Sequence, residues 1–272
     1  KLARRHTGRY EVITARNAYH GSTQGAESLR SDIEMTSAYR PMVPGVRHID
    51  YNSIPDLERI TSRTAAVIME PIQAEAGIIL PAKGYLEAVR KRCDETGAML
   101  IFDEIQTGYG RTGSLFAFKR AGVTPDILTI GKAMGGGMPI AAFISSAGIM
   151  GDLAYKPALG HITTFGGNPV TSAAAFATLE TLLGSGLIGE VDAKSDHFGQ
   201  RLQHPIIDEV RRAGLMMAIQ LTKKRYLKYV VQYTIENGGL IDWFLFNNQA
   251  FRVAPPLIIT HEQIDEGCDL LL

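Results

Sequence analysis

Ala98-Met-Leu-Ile-Phe-Asp-Glu-Ile-Gln106 and Asp126-Ile-Leu-Thr-Ile-Gly-Lys-Ala-Met-Gly-Gly-Gly-Met-Pro139 decide how this chain folds. Each opens on a short run that is apolar almost throughout, the pattern of a strand buried on both faces. Each run delivers a charged residue at its carboxyl end, Asp103 in the first and Lys132 in the second. Ligands of open parallel sheets bind outside those ends. Gly135-Gly-Gly137 follows Lys132 closely and lets backbone pass near a ligand. Partial desolvation at such a place disfavours an ammonium ion and leaves a usable nucleophile.

The sequence around these two runs alternates strand and helix. Strands are predicted at 10–15, 46–51, 64–70 and 140–145. A helix is predicted over 84–96, with Leu86, Val89 and Cys93 on one face and Gly97 as its stop, and another over 169–183. Residues 26–45 carry Pro41 and Pro44 and read as an irregular excursion. This alternation predicts a mostly parallel α/β sheet flanked by helices. Beyond Val191 the rhythm changes. A helix runs to about Gln203, strands follow at 207–210 and 215–221, and a helix over 226–235 is stopped by Asn237-Gly-Gly239. Two short strands flank Asn247-Asn248, and a last helix opens on the capping box Thr260-His-Glu-Gln263. The expected division is a large domain over 1–192 and a small α+β domain over 193–272. Lys1–Thr7 reads as the tail of a helix and Asp269–Leu272 as a helix cut short, so the expectation is a piece of a longer chain.

Composition narrows the function classes. The formal net charge is zero, which favours neither nucleic acid nor an anionic membrane as partner. The longest apolar run, Pro139–Met150, is too short for a membrane span, and no signal peptide is seen. The two cysteines, Cys93 and Cys268, read as buried apolar residues in a reducing compartment, giving a cytoplasmic expectation.

One carboxylate and one amine on two neighbouring strands suit pyridoxal 5'-phosphate, which needs a lysine to anchor its aldehyde and an acid to hold its ring nitrogen protonated. Gln106, three residues past Asp103, could donate to the ring oxygen. Thr163 and Thr164 precede Phe165-Gly-Gly-Asn-Pro169 and a helix, where hydroxyls suit either a phosphate or a plain helix cap. The rival is a nicotinamide-dependent oxidoreductase, because Gly108-Tyr-Gly-Arg-Thr-Gly113 fits G-x-G-x-x-G literally. Against it, Asp103 and Glu104 would oppose a pyrophosphate, and Thr124-Pro125 breaks the helix that should follow. Gly131-Lys132 is no P-loop, since Asp126 and Ala133 stand at the wrong places. No H-E-x-x-H, paired C-x-x-C or G-x-S-x-G occurs, so neither a metal site nor a serine hydrolase is expected.

Ile101–Gly113 together with Lys132–Pro139 resembles the class III pyridoxal-phosphate aminotransferases, and Met69–Gly77, Thr164–Pro169 and Phe251–Leu257 match in the same order. Nearest in character are the ornithine and acetylornithine enzymes, with 4-aminobutyrate aminotransferase a close relative. The resemblance implies a fold-type I transferase whose N-terminal part lies before Lys1. It implies amino-group transfer to 2-oxoglutarate by a ping-pong mechanism, with other ω-amino acids, a mutase or a decarboxylase as alternatives. Lys132 would be the catalytic lysine, Asp103 would hold the pyridine nitrogen and Gln106 the ring oxygen. Tyr19 would stack on the ring with His20 beside it, and Thr164 would reach the phosphate of a neighbouring subunit's cofactor, implying a homodimer. Arg252 would bind the α-carboxylate of glutamate or 2-oxoglutarate, and Glu75 would pair with Arg252 when an amine-ended substrate is present. Thr163 and Ser22 complete the substrate positions. Ser22 departs from the pattern, since these subgroups usually carry arginine there.

Overall fold

Six strands build the sheet of the first unit in the computed structural model, which describes residues 1–155 and 157–272. They are β1 (Glu11–Ala15), β2 (Val46–Ile49), β3 (Thr64–Met69), β4 (Met99–Asp103), β5 (Ile127–Ile130) and β6 (Ala142–Ser145). Their spatial order is β2-β1-β3-β4-β5-β6. The chain leaves β1 in one direction to make β2 and returns on the other side to make β3. That reversal is the kind of place where α/β sheets bind ligands. β1 to β5 run parallel. The central strands are apolar on both faces because both faces are covered; Ala65, Ala66, Val67, Leu100 and Phe102 are fully buried.

β6 runs antiparallel to β5. A parallel return needs a crossover of a dozen or more residues, usually with a helix. The connection from Gly131 to Ala141 holds only a four-residue 3-10 turn, Lys132–Gly135, so the strand folds straight back. The helix Tyr85–Thr96 buries Leu86, Val89 and Cys93 as its spacing predicted, and Gly97 ends it in the left-handed conformation. The excursion expected to be irregular over 26–45 instead carries the short helices Gln24–Glu27 and Ile33–Thr36 and a 3-10 turn Ser37–Tyr39. Leu2, Ala3, Ala66, Met99 and Ile127 form one core cluster of this unit.

The second unit holds a four-stranded antiparallel sheet of β7 (Ile207–Ala213), β8 (Met216–Leu221), β9 (Asp242–Trp243) and β10 (Ala250–Val253), ordered β7-β8-β10-β9. The helices Leu187–Arg201, Arg225–Glu236 and His261–Leu271 pack apolar side chains such as Val191, Val230 and Ile264 against Met217 and Ile219 of β8 and Phe251 and Val253 of β10 in its larger core. The last helix starts with the expected capping box between Thr260 and Gln263.

The division is not a single cut. The second unit gathers Ile72–Leu80 and Thr107–Ala117 as well as Glu180–Leu272, whereas the sequence reading placed one boundary between residues 192 and 193. The cause is a core cluster in which Ile72, Ala74, Ile78 and Ala117 pack with Met216, Ala218, Phe244 and Ala250. Both cysteines are free and buried. Burial pushes the Cys93 thiol up to about 12 and the Cys268 thiol up to about 11, so neither is a ready nucleophile. Among the described residues no single helix is long and apolar enough to cross a membrane.

Candidate active site

β4 ends on Asp103, which lies opposite Thr129 of β5, and Lys132 comes two residues after the end of β5. The carboxylate and the amine therefore leave the same edge of the sheet from adjacent parallel strands. Asp103 is buried and held from two sides. Its Oδ1 accepts from the Ile105 amide at 3.1 Å, and its Oδ2 lies 2.7 Å from His20 Nδ1. The side chains of His20 and Asp103 are 3% and 7% exposed, so water hardly screens the pair. Burial alone would lower the His20 pKa. The hydrogen bond and charge of Asp103, with the charge of Glu70, outweigh it, so the net shift is upward. His20 thus donates to Asp103 and carries positive charge to a higher pH than a free histidine.

Tyr19 and His20 follow β1, on the same edge of the sheet. The Tyr19 amide donates to Glu70 Oε1 at 3.3 Å, and the Arg30 guanidinium carbon lies 5.8 Å from the Tyr19 ring centre. Glu70 escaped sequence reading; a carboxylate placed before Pro71 at a strand end was its only signal. Ser22 is exposed. Arg30 does not replace the arginine missing there, because Asp32 takes two of its N–H groups at 2.9 and 2.6 Å and Glu27 a third at 3.4 Å.

Lys132 is exposed rather than partly desolvated as its sequence context predicted, and it sits at φ 46°, a conformation that non-glycine residues rarely adopt. Such strain costs of order 1–3 kcal/mol and collects at functional sites. Gln106, half-buried, lies three residues beyond Asp103. Thr163 and Thr164 are exposed and line a cavity of about 600 Å³ with Met134, Pro139, Phe165 and Ser172. The helix Pro169–Gly184 is capped by Asn168, whose side-chain oxygen accepts from the amides of Val170 and Thr171 at 3.0 and 3.3 Å. The capping role is filled by another residue, so the plain-cap reading of the threonine hydroxyls does not hold.

In the second unit Glu75 and Arg252 form a partly buried ion pair, Nη2 to Oε1 at 2.8 Å. The Leu245 amide donates to the other Glu75 oxygen at 3.4 Å, and the Phe246 amide to the Glu75 carbonyl at 3.1 Å. Arg252 belongs to β10, paired with Ala218 of β8 and Asp242 of β9, so its backbone is fixed on both sides.

The glycine loop 108–113 is built for packing. Gly110 has φ 84°, and a Cβ there would stand 3.0 Å from Leu257 and 3.1 Å from Ile188. The following helix, Ala117–Ala121, has five residues. Glu104 spends a carboxylate oxygen on the Phe118 amide at 2.7 Å. Arg111 donates to the carbonyls of Leu215 and Pro255, tying the loop to the segment that follows Arg252. The loop therefore offers no helix N-terminus long enough for a pyrophosphate, and the dinucleotide reading falls.

These features define a fold-type I transferase, and the chain belongs to the class III aminotransferases, whose family model matches residues 1–272. It is 41% identical over 267 residues to the acetylornithine aminotransferase of Mycobacterium leprae, covering 95% of this chain and 64% of that protein. It is 39% identical over 270 residues to the putrescine aminotransferase of Pectobacterium atrosepticum, with coverage of 94% and 58%. Among solved structures it resembles the ornithine aminotransferase of Toxoplasma gondii at a TM-score of 0.90 and 32% identity, over 99% of this chain and 67% of that one. The chain thus spans about two thirds or less of the length of these relatives.

The cofactor of this family is pyridoxal 5'-phosphate. The donor set suits that group. A buried carboxylate braced by a histidine and a backbone amide can hold a pyridinium proton, an aromatic ring follows β1, two strands away on the same edge of the sheet, and a primary amine follows the adjacent β5.

Proposed function

We propose that the protein is a pyridoxal-phosphate-dependent transaminase that takes the amino group from a donor with a distal amine and passes it to 2-oxoglutarate in a ping-pong cycle. The observation that carries this reading is the Glu75–Arg252 pair at 2.8 Å. An arginine neutralised by a movable carboxylate tolerates an amine-ended donor, and the same arginine, once uncovered, binds the α-carboxylate of glutamate or 2-oxoglutarate. The bound cofactor supplies an aldehyde for the incoming amine and a pyridinium that draws off electron density. Asp103 would hold the proton on the pyridine nitrogen, and His20, 2.7 Å away, would keep Asp103 oriented. Tyr19 packs against the ring, and Gln106 donates to its oxygen. Lys132 Nζ takes the proton from the substrate carbon that bears the amino group.

The family resemblance assigns Thr164 to a neighbouring subunit's phosphate. Exposed apolar residues along the same stretch, Ile162, Phe165, Val170 and Phe176, support an interface there. A homodimer is therefore the proposed state, and sedimentation of the complete protein should give a dimer mass; a monomer at micromolar concentration would refute it.

The donor follows from Ser22. With serine where an arginine would meet a substrate carboxylate, and with Arg30 already engaged, a donor with no carboxylate is favoured as a second reading. A diamine such as the putrescine of one relative's name fits it. Single-turnover assays of the complete holoenzyme with ornithine, acetylornithine, 4-aminobutyrate and putrescine separate the two. Product that keeps forming beyond one equivalent per active site without any oxo-acid acceptor would instead indicate a mutase or decarboxylase.

Glu75→Gln tests the pairing directly. With Arg252 left charged beside an amine-ended donor, the donor half-reaction should lose roughly 10- to 100-fold in kcat/KM, the range of a lost hydrogen bond to a charged group. The 2-oxoglutarate half-reaction should keep its rate. Equal losses in both halves would sink the switch.

A further inference from the structure

An arginine that exchanges one carboxylate for another needs a contact that survives the exchange. Arg252 has one. Its guanidinium carbon stands 4.8 Å from the centre of the Phe244 ring, over the ring face. Glu75 meets the guanidinium through an N–H group at its edge. Edge and face are independent directions of binding: carboxylates take the in-plane N–H groups, and aromatic rings take the flat side. Departure of Glu75 leaves the ring contact intact. Phe244 is itself fixed, 3% exposed among Ile72, Ala74, Met216 and Ala250. The next two residues hold the other partner of the switch, since the amides of Leu245 and Phe246 donate to Glu75. One short segment thus carries the seat for the arginine and the clasp for the glutamate.

We propose that Phe244 is a positioning residue for acceptor specificity, its ring holding the Arg252 guanidinium in place for a dicarboxylate whenever Glu75 is displaced. This rests on the proposed role of Arg252 in the transaminase reading. Without the ring, the freed side chain samples other rotamers, and each binding event must order it again. The cost falls on dicarboxylate acceptors, one of whose carboxylates takes the place of Glu75 on Arg252. It does not fall on amine-ended donors, for which Glu75 keeps Arg252 in place.

The test uses the complete holoenzyme, its Phe244→Leu variant and its Phe244→Tyr variant, which keeps the ring face. Phe244→Met, which fills the space without a π face, serves should the leucine variant unfold in the assay range. Two quantities are read: calorimetric affinity for glutarate, an unreactive five-carbon dicarboxylate, and single-turnover kcat and KM of each half-reaction. Phe244→Leu should weaken glutarate binding roughly 2- to 30-fold, the span of a cation–π contact, and raise the KM for 2-oxoglutarate by a similar factor. The donor half-reaction should be unchanged, and Phe244→Tyr should restore both acceptor values. Unchanged glutarate affinity in Phe244→Leu, or equal losses for donor and acceptor, overturns the proposal while leaving the transaminase reading standing. If the unaltered holoenzyme neither binds glutarate nor turns over 2-oxoglutarate, the reading of Arg252 fails first and this proposal falls with it.

Discussion

Lys132→Ala holoenzyme turns over no donor at a measurable rate, although it folds as the parent does. The lost proton transfer alone is expected to cost on the order of 10²- to 10⁴-fold, and loss of the covalent anchor adds to that. The fold is spared because Lys132 is exposed and lies in a short turn outside the sheet. Its backbone sharpens the prediction. At φ 46° a side chain is a burden on stability, so Lys132→Gly should be as inactive as the alanine variant yet more stable than it by roughly 1 kcal/mol. Thermal melts of the two variants check this. If glycine were the less stable of the two, the strained turn would not be held as described.

Asp103→Asn is the second large effect. The amide keeps the shape of the carboxylate but holds no proton on a pyridine nitrogen and attracts no charged histidine. Activity should fall on the order of 10²- to 10³-fold, the usual result of removing one preorganised electrostatic group. The same pair sets a pH dependence. The folded protein holds the His20 proton more tightly than an unfolded chain does, since the His20 pKa is raised. Its contribution to stability is therefore complete below the ordinary histidine value of 6.5 and is lost as pH rises through the folded value. The stability lead of the parent over His20→Gln should be widest in mild acid and narrow towards alkaline pH. Melting curves between about pH 5 and 9 measure it, and a lead that widened with pH would reverse the assigned sign.

How much of this was legible in the chain differs by element. β3, β4 and β5 were readable because strands covered on both faces carry continuous apolar runs, and Asp103 and Lys132 were readable as the charged residues that end two of them. The stop at Gly97 and the capping box at Thr260 were readable because capping is local chemistry. The direction of β6 was not, since it depends on the Gly131–Ala141 connection being too short to cross the sheet. The transfer of Ile72–Leu80 and Thr107–Ala117 to the second unit was hidden as well, because the contacts of Ala74 and Ala117 with Ala218 and Phe244 span most of the chain. In the site, the residue types were legible but their pairings were only partly so. His20 read as a neighbour of Tyr19, whereas its hydrogen bond goes to Asp103, 83 positions away. Asn168 took the helix cap that sequence reading had weighed for Thr163 and Thr164. The Glu75–Arg252 pair was anticipated through the family resemblance alone, and the place of the Arg252 guanidinium over the Phe244 ring had no sequence signal.

The central claim is that the strand-end amine and the strand-end acid serve one pyridoxal-phosphate ring. Borohydride reduction of the complete holoenzyme, followed by proteolysis and mass spectrometry of the peptides, tests it most directly. A single phosphopyridoxyl group on Lys132 Nζ, absent from the Lys132→Ala protein, is the predicted result. A label on another lysine, or none from protein that retains its cofactor, would contradict it.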